Sequence, residues 1–198
     1  MTTTSAAKLR GRVRRGYSEA AKRTGDDQPF PLGREFALSL GYTQDLLESL
    51  PSVAVDAFAA VSNVAVFAQK PPGSRVLDLE FAAGLDSFIA AQRAGPAGWV
   101  VGVDFSEAIL ARPRRGAKSM GGDRIQFLDE DAENLEMEDA SMHIALVNGL
   151  SNLNPRRGEI FQELARVLRP SGGRYAAELI LREPLPAHVK SSEADWFA

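Results

Sequence analysis

The sequence predicts an α/β fold, a mainly parallel, doubly wound sheet of five strands behind an N-terminal helical cap. Three observations carry this. Short apolar or β-branched runs occur at 75–79, 99–103, 125–128, 142–147 and 174–181. Helical patterns of roughly 10–15 residues alternate with them, which implies right-handed βαβ crossovers. Residues 1–70, by contrast, contain no strand-like alternation. The expected division is a cap over 1–70 and an α/β domain over 71–198, whose ligand-binding part runs from about Ser74 to Leu181.

Bulk properties narrow the function. A chain of 198 residues is long enough for one domain with a sizeable core. A net charge of −3 argues against nucleic acid or an anionic membrane as the main partner. The absence of cysteine excludes disulfides, zinc–thiolate sites and thiol nucleophiles within these residues, and it fits a cytoplasmic protein. No apolar run approaches the roughly 20 residues of a membrane span.

The first 24 residues hold seven basic side chains and one acid, Glu19. A transit peptide has that composition. The favoured reading is an amphipathic helix, because Val13, Tyr17 and Ala21 keep helical spacing. Short helices are expected at 34–40 and 43–50, and another from Pro51, with Val55, Phe58, Ala59 and Ser62 on one face. After the turn at 71–73 and the first strand, a helix over 85–94 carries Leu85, Phe88, Ile89 and Gln92 on one side. Ser106 can cap a helix from Glu107, which Pro113 should kink or end early. A helix starting at Asn154-Pro155 carries Ile160, Leu164 and Leu168 at i, i+4, i+8, and stops at 169–173 before the fifth strand.

Ligands of such sheets bind outside the carboxyl ends of the strands. Asp104 ends the second strand twenty residues after Gly84, where an acid can accept from both hydroxyls of a ribose; a helix cap or solvated turn is the plain alternative. The run from Asp129 to Asp139 holds seven acids and is by default solvated surface. Asp131 is the member chosen to accept from an exocyclic adenine amine. The loop from Asn148 to Leu153 would lie near the reactive centre, although Gly149 and its Asn residues also suit any tight turn. His143, His188 and the basic group Arg112, Arg114, Arg115 and Lys118 read as structural or solvated side chains.

The segments Val76-Leu77-Asp78-Leu79 with Gly84-Leu85-Asp86-Ser87, then 101–104, 131–135 and 163–170, together resemble the class I S-adenosylmethionine-dependent methyltransferases. The stretches 15–17, 33–35 and 40–42 resemble the arsenite-methyltransferase-like and ubiquinone/menaquinone-biosynthesis-like branch. The resemblance implies a Rossmann-like domain that binds S-adenosylmethionine and methylates a small molecule. It implies that Asp78 and Gly84 border the methionine moiety, Asp104 binds the ribose and Phe105 packs beside the adenine. Asp131 and Ala132 would hold the adenine edge, Asn148 would lie near the sulfonium, and Tyr17 would close over from the cap. Methyl transfer needs alignment, exclusion of water and accommodation of lost positive charge, and no catalytic acid or base is assigned.

The sequence departs from the family's acid-x-Gly-x-Gly-x-Gly loop by carrying Glu80 and Ala82 ahead of Gly84. The resembling arsenite enzymes hold As(III) with thiolates, so arsenic is not the expected substrate. Family members continue beyond the fifth strand with helices and a hairpin, whereas these residues end at Ala198; the fifth strand is therefore expected to be an open edge that invites pairing with another chain, as in a homodimer, or burial under a partner. The alternative function is a non-catalytic methyltransferase-like module that associates through that edge. A dinucleotide oxidoreductase is disfavoured, because the loop lacks G-x-G-x-x-G spacing.

Overall fold

A computed structural model describes residues 31–79, 83–105, 107–120, 122–150, 154 and 156–180, together with Gly11. The expected first helix, Tyr17, Glu80, Ala82 and Ser106 lie outside the described residues. The described chain begins with four short helices: α1 (Gly33–Ser39), α2 (Gln44–Glu48), α3 (Ser52–Val55) and α4 (Val64–Phe67). It continues as β1 (Arg75–Leu79), α5 (Leu85–Ala94), β2 (Trp99–Asp104), α6 (Glu107–Ser119), β3 (Ile125–Asp129), β4 (Met142–Asn148), α7 (Arg157–Val167) and β5 (Leu168–Ala177).

The five strands form one sheet in the order β3-β2-β1-β4-β5, and every neighbouring pair is parallel. The chain therefore starts in the middle, winds outward through β2 and β3, then crosses β1 to add β4 and β5. Register brings the strand tips level: Leu79 pairs with Val103 and Val147, Asp104 with Asp129, and Asn148 with Ala177.

Alternating strand residues feed two cores, as the pleat requires. On one face Val76, Val100, Ile125, Ile144 and Leu146 pack with α5, α6 and the cap residues Leu47, Val55 and Phe58. On the other, Leu77, Leu79, Val101, Val103 and Val147 lie beneath Ile160, Leu164 and Val167 of α7, with Ala132 and Leu135 of the β3–β4 connection beside them. No helix among the described residues is long and apolar enough to cross a membrane.

Four local expectations need correction, and tertiary contacts account for each. The helix after Pro51 is a single turn that Pro51 caps; Phe58 instead stacks edge-on against Tyr42 at 5.1 Å, and its carbonyl accepts from Gly33 N–H at 2.9 Å. Helix α6 runs through Pro113, because buried Leu110 and Ala117 on either side anchor it and the proline's cost is local. In α5 the whole run Leu85–Ala91 is buried, and it is Gln92 that reaches the surface. Leu168 belongs to β5, not α7: it pairs with Met142, after which the register jumps to Ile144 with Gly173. Pro170 disfavours helix at Arg169, and Ser171 takes a left-handed φ of 69° in the irregular stretch. β5 accordingly starts earlier than expected and ends at Ala177.

Two minor side chains also find their places. His143 Nδ1 accepts from Arg75 N–H at 3.2 Å, away from the strand tips. Arg114 is not simply solvated, since it donates to the Phe127 carbonyl at 3.2 and 3.0 Å and pairs with Glu107.

Candidate functional site

The carboxyl edge of the sheet is built around the turn from β1 into α5. Gly84 caps α5 with φ 84°. A Cβ there would stand 2.9 Å from Pro113 Cβ and 3.3 Å from the rings of Phe127 and Phe88. Both the left-handed backbone and the close packing require glycine. Pro113, expected to break a helix, is thus part of the wall against which this turn is set.

Two buried acids flank the turn. Asp78, the penultimate residue of β1, is 1% exposed and accepts from Ser87 Oγ at 2.5 Å. Asp86, in the first turn of α5, is 5% exposed. One of its oxygens accepts from the Tyr42 hydroxyl and the other from Asn148 Nδ2, both at 2.8 Å. Burial pushes both carboxyls above their ordinary range, and for Asp78 the neighbouring Asp86 adds to the effect. Burial, with Asp86 alongside, also keeps the Tyr42 hydroxyl protonated far beyond the usual phenol range. The nearby cation is Lys70, whose Nζ donates to the carbonyls of Ala65 and Ala68 at 2.7 and 3.0 Å. Burial, reinforced by Arg93, brings its pKa down to about 8.

Asn148, at the tip of β4, is fully engaged. Its Oδ1 accepts from Val61 and Ser62 N–H, each at 3.1 Å, and its Nδ2 donates to the Ser62 carbonyl at 2.6 Å besides Asp86. One amide and one carboxylate thus join the cap loops to α5 and β4. Next to them Gly149 has φ 89°, and a Cβ there would lie 2.9 Å from Val61 Cγ2.

The remaining expected residues line the tips of β2 and β3. Asp104 is buried at the end of β2, and its carbonyl accepts from Glu130 N–H at 3.2 Å. Phe105 follows, half-buried. Asp131 is half-buried and forms an antiparallel bridge with Asn134; Ala132 is buried in the core beneath α7. The sheet therefore brings Asp78, Gly84, Asp104, Phe105, Asp131, Ala132 and Asn148 to one edge.

Asp86 and Tyr42 were not singled out individually from sequence. The available signal was an acid two residues after a loop glycine, inside an otherwise small and apolar helical run. No group of His, Cys, Asp and Glu among the described residues is arranged to hold a metal ion.

This donor set suits a ligand carrying both hydroxyls and positive charge. Asp104 is an acceptor at the tip next to the central strand, and the two buried acids lie within electrostatic reach of Lys70, which has Arg93 beside it. Such a doubly wound sheet, with acids at successive tips and a left-handed glycine between β1 and α5, defines a nucleoside-binding α/β domain. A model of the methyltransferase domain family matches residues 70–197, and the chain belongs to that family.

An arsenite methyltransferase from Halobacterium salinarum is 32% identical over 151 residues, covering 76% of this chain and 38% of that protein. A demethylmenaquinone methyltransferase from Clavibacter sepedonicus is 40% identical over 116 residues, covering 58% of this chain and 44% of the relative. The crystal structure of an arsenic(III) S-adenosylmethionine methyltransferase from Chlamydomonas reinhardtii superposes with a TM-score of 0.63 at 26% identity, over 83% of this chain and 55% of that one. The chain thus spans less than half the length of the two curated relatives.

Proposed function

We propose that the chain binds S-adenosylmethionine at the carboxyl edge of its sheet and takes part in methyl transfer to a small organic molecule. The observation that carries this is the set of buried acids at the carboxyl edge of the sheet, Asp78 of β1, Asp86 at the start of α5 and Asp104 of β2, around a left-handed Gly84. Asp104 would accept from the ribose hydroxyls, with Phe105 packing beside the base and Asp131 and Ala132 meeting the adenine edge. Gly84 and the start of α5 would border the methionine moiety, whose ammonium would draw the buried Asp78 and Asp86 carboxyls toward ionisation. When bound, the cofactor supplies a methyl group on a sulfonium, already activated toward a nucleophile. The protein's part is to orient, to exclude water and to hold the cap in place.

Asn148 contributes through that last role, since its amide is engaged with Ser62 and Asp86. Tyr17, outside the described residues, is proposed to close over the cofactor from the cap. The acceptor is proposed to be organic, because these residues offer no thiolate to hold As(III). No nucleic-acid or membrane partner is proposed, and a cytoplasmic location accords with the cysteine-free composition. Titration calorimetry with S-adenosylmethionine and S-adenosylhomocysteine tests the reading: saturable heat supports it, and none at millimolar ligand overturns it.

A second reading rests on β5, which stands at one end of the sheet. There the chain is a non-catalytic module that pairs with a second copy through that strand. Sedimentation at rising concentration separates the two, since a monomer that binds the cofactor tightly excludes the second.

A further inference from the structure

The connection from β3 to β4, residues 130–141, forms no helix, although it carries Asp131 and Ala132 and covers part of the sheet. An irregular segment needs partners for its backbone groups other than a helical ladder. Glu136 N–H donates to Glu130 Oε2 within the connection at 3.1 Å, and the other side-chain partners come from two residues of α7. Glu163 Oε2 accepts from Leu135 N–H at 2.9 Å. Arg166 Nη2 donates to the Leu135 carbonyl at 2.9 Å, and Nη1 donates to the Met137 carbonyl at 2.6 Å and to Asp139 Oδ1 at 2.8 Å. The remaining guanidinium hydrogens grip Glu163, Nε to Oε1 at 2.9 Å and Nη2 to Oε2 at 2.7 Å. Every donor of the arginine fork is used, in a planar arrangement that lysine cannot copy. The Arg166 carbonyl closes the clamp by accepting from Ala140 N–H at 2.8 Å.

The clamp connects directly to the strand tip. Leu135, held from both sides, is buried with Ala132 against α7. The preceding residue, Asn134, donates its N–H to the Asp131 carbonyl at 2.9 Å and bridges to Asp131. Residues 131–135 therefore form a small turn with one end fixed by α7 and the other by β3.

We propose that Arg166, working with Glu163, is a positioning residue for the base of the bound cofactor: it sets the β3–β4 turn so that Asp131 and Ala132 meet the adenine edge. This rests on the S-adenosylmethionine reading above. Arg166 does not touch the ligand; it acts through Leu135.

The test compares S-adenosylhomocysteine with S-inosylhomocysteine, in which an oxygen replaces the exocyclic amine, by calorimetry on the full chain. A turn held in place prefers the adenine ligand by about tenfold or more, the size of a hydrogen bond whose partner would otherwise be left unmet. In Arg166→Lys that preference is expected to fall to within about twofold, with affinity for the inosine ligand nearly unchanged. A merely structural role would weaken both ligands alike and leave the ratio intact. Glu163→Gln, which keeps the arginine and the side-chain shape, serves as a second variant should the lysine protein fail to fold, and it moves the ratio the same way by less. A ratio unaltered in the folded variants, or a wild type with no preference between the ligands, overturns the inference while leaving the cofactor reading standing. A wild type that binds neither ligand overturns both.

Discussion

The two faces of the sheet fasten irregular chain to the strands by opposite electrostatic means. On the cap face, Asp86 is buried and surrounded by neutral donors, the Tyr42 hydroxyl and the Asn148 amide, with Lys70 nearby but bound to carbonyls. On the α7 face, Glu163 is paired with a guanidinium, which holds its carboxyl below the usual carboxylate range. The first arrangement holds a carboxyl in a dry place that resists its ionisation; the second neutralises charge near water. Buried acids satisfied by neutral groups are costly to ionise and costly to remove, whereas a partly exposed ion pair contributes little by its charge and more by its geometry.

Substitutions should separate the faces clearly. The largest effect is expected on the cap face at Gly84, where Gly84→Val combines a left-handed backbone with a Cβ 2.9 Å from Pro113. Urea denaturation should register a loss of about 3–5 kcal/mol or no folded protein at all. Next comes Asp86→Ala, which leaves the Tyr42 hydroxyl and the Asn148 amide without their shared acceptor; about 3 kcal/mol is expected by the same measurement. Arg166→Ala on the α7 face should cost about 1–2 kcal/mol, mainly through the backbone carbonyls of Leu135 and Met137. The smallest effect belongs to Asp139→Asn, whose 79% exposed side chain is worth under about 0.5 kcal/mol. An Arg166→Ala loss larger than that of Asp86→Ala would break the comparison.

Acidity sharpens it further. The Asp78 carboxyl is raised by burial and by Asp86, so above the unfolded value of about 3.9 the native state holds the additional proton. Stability contributed by this group therefore falls as pH rises from about 4 toward the elevated folded value. Glu163 runs the other way. Its lowered value gives stability that is present above about 4.3 and is lost as pH falls through the folded value. Thermal melts from pH 4 to 7 should show a smaller decline with rising pH in Asp78→Asn than in the wild type. Equal slopes would remove Asp78 from the account.

Much of this was legible in the chain because it depends on local patterns. β1, β2 and α5 follow from apolar runs bounded by glycine and proline, and the strand-tip acids follow from where those runs stop. Position 84 announced itself as a glycine between a strand and a helix. What escaped were arrangements made between distant segments. Tyr42 meets Asp86 across 44 residues, and no spacing rule links them. α5 looked amphipathic because Gln92 continues a helical stripe, but the cap and α6 cover the rest of it. Pro113 read as a breaker since its cost is local, whereas the packing that outweighs it is not. Leu168 fits the α7 stripe equally well, and only its pairing with Met142 assigns it to β5. The match between local signal and final structure is closest where burial is symmetrical, in the central strands.

The strand order also dictates a timetable for assembly. β1 emerges first, yet one of its two neighbours, β4, begins only at Met142. Until that residue and α7 have been made, the stripe of Leu77, Leu79, Val101 and Val103 has no cover from α7. A nascent chain at that stage is half a sheet with an uncovered oily side, the kind of species on which aggregation and chaperone capture act. Pulse-labelling of ribosome-bound chains should find β1 to β3 unprotected until β4 and α7 have emerged, and slow synthesis should penalise this protein most while those elements are still missing.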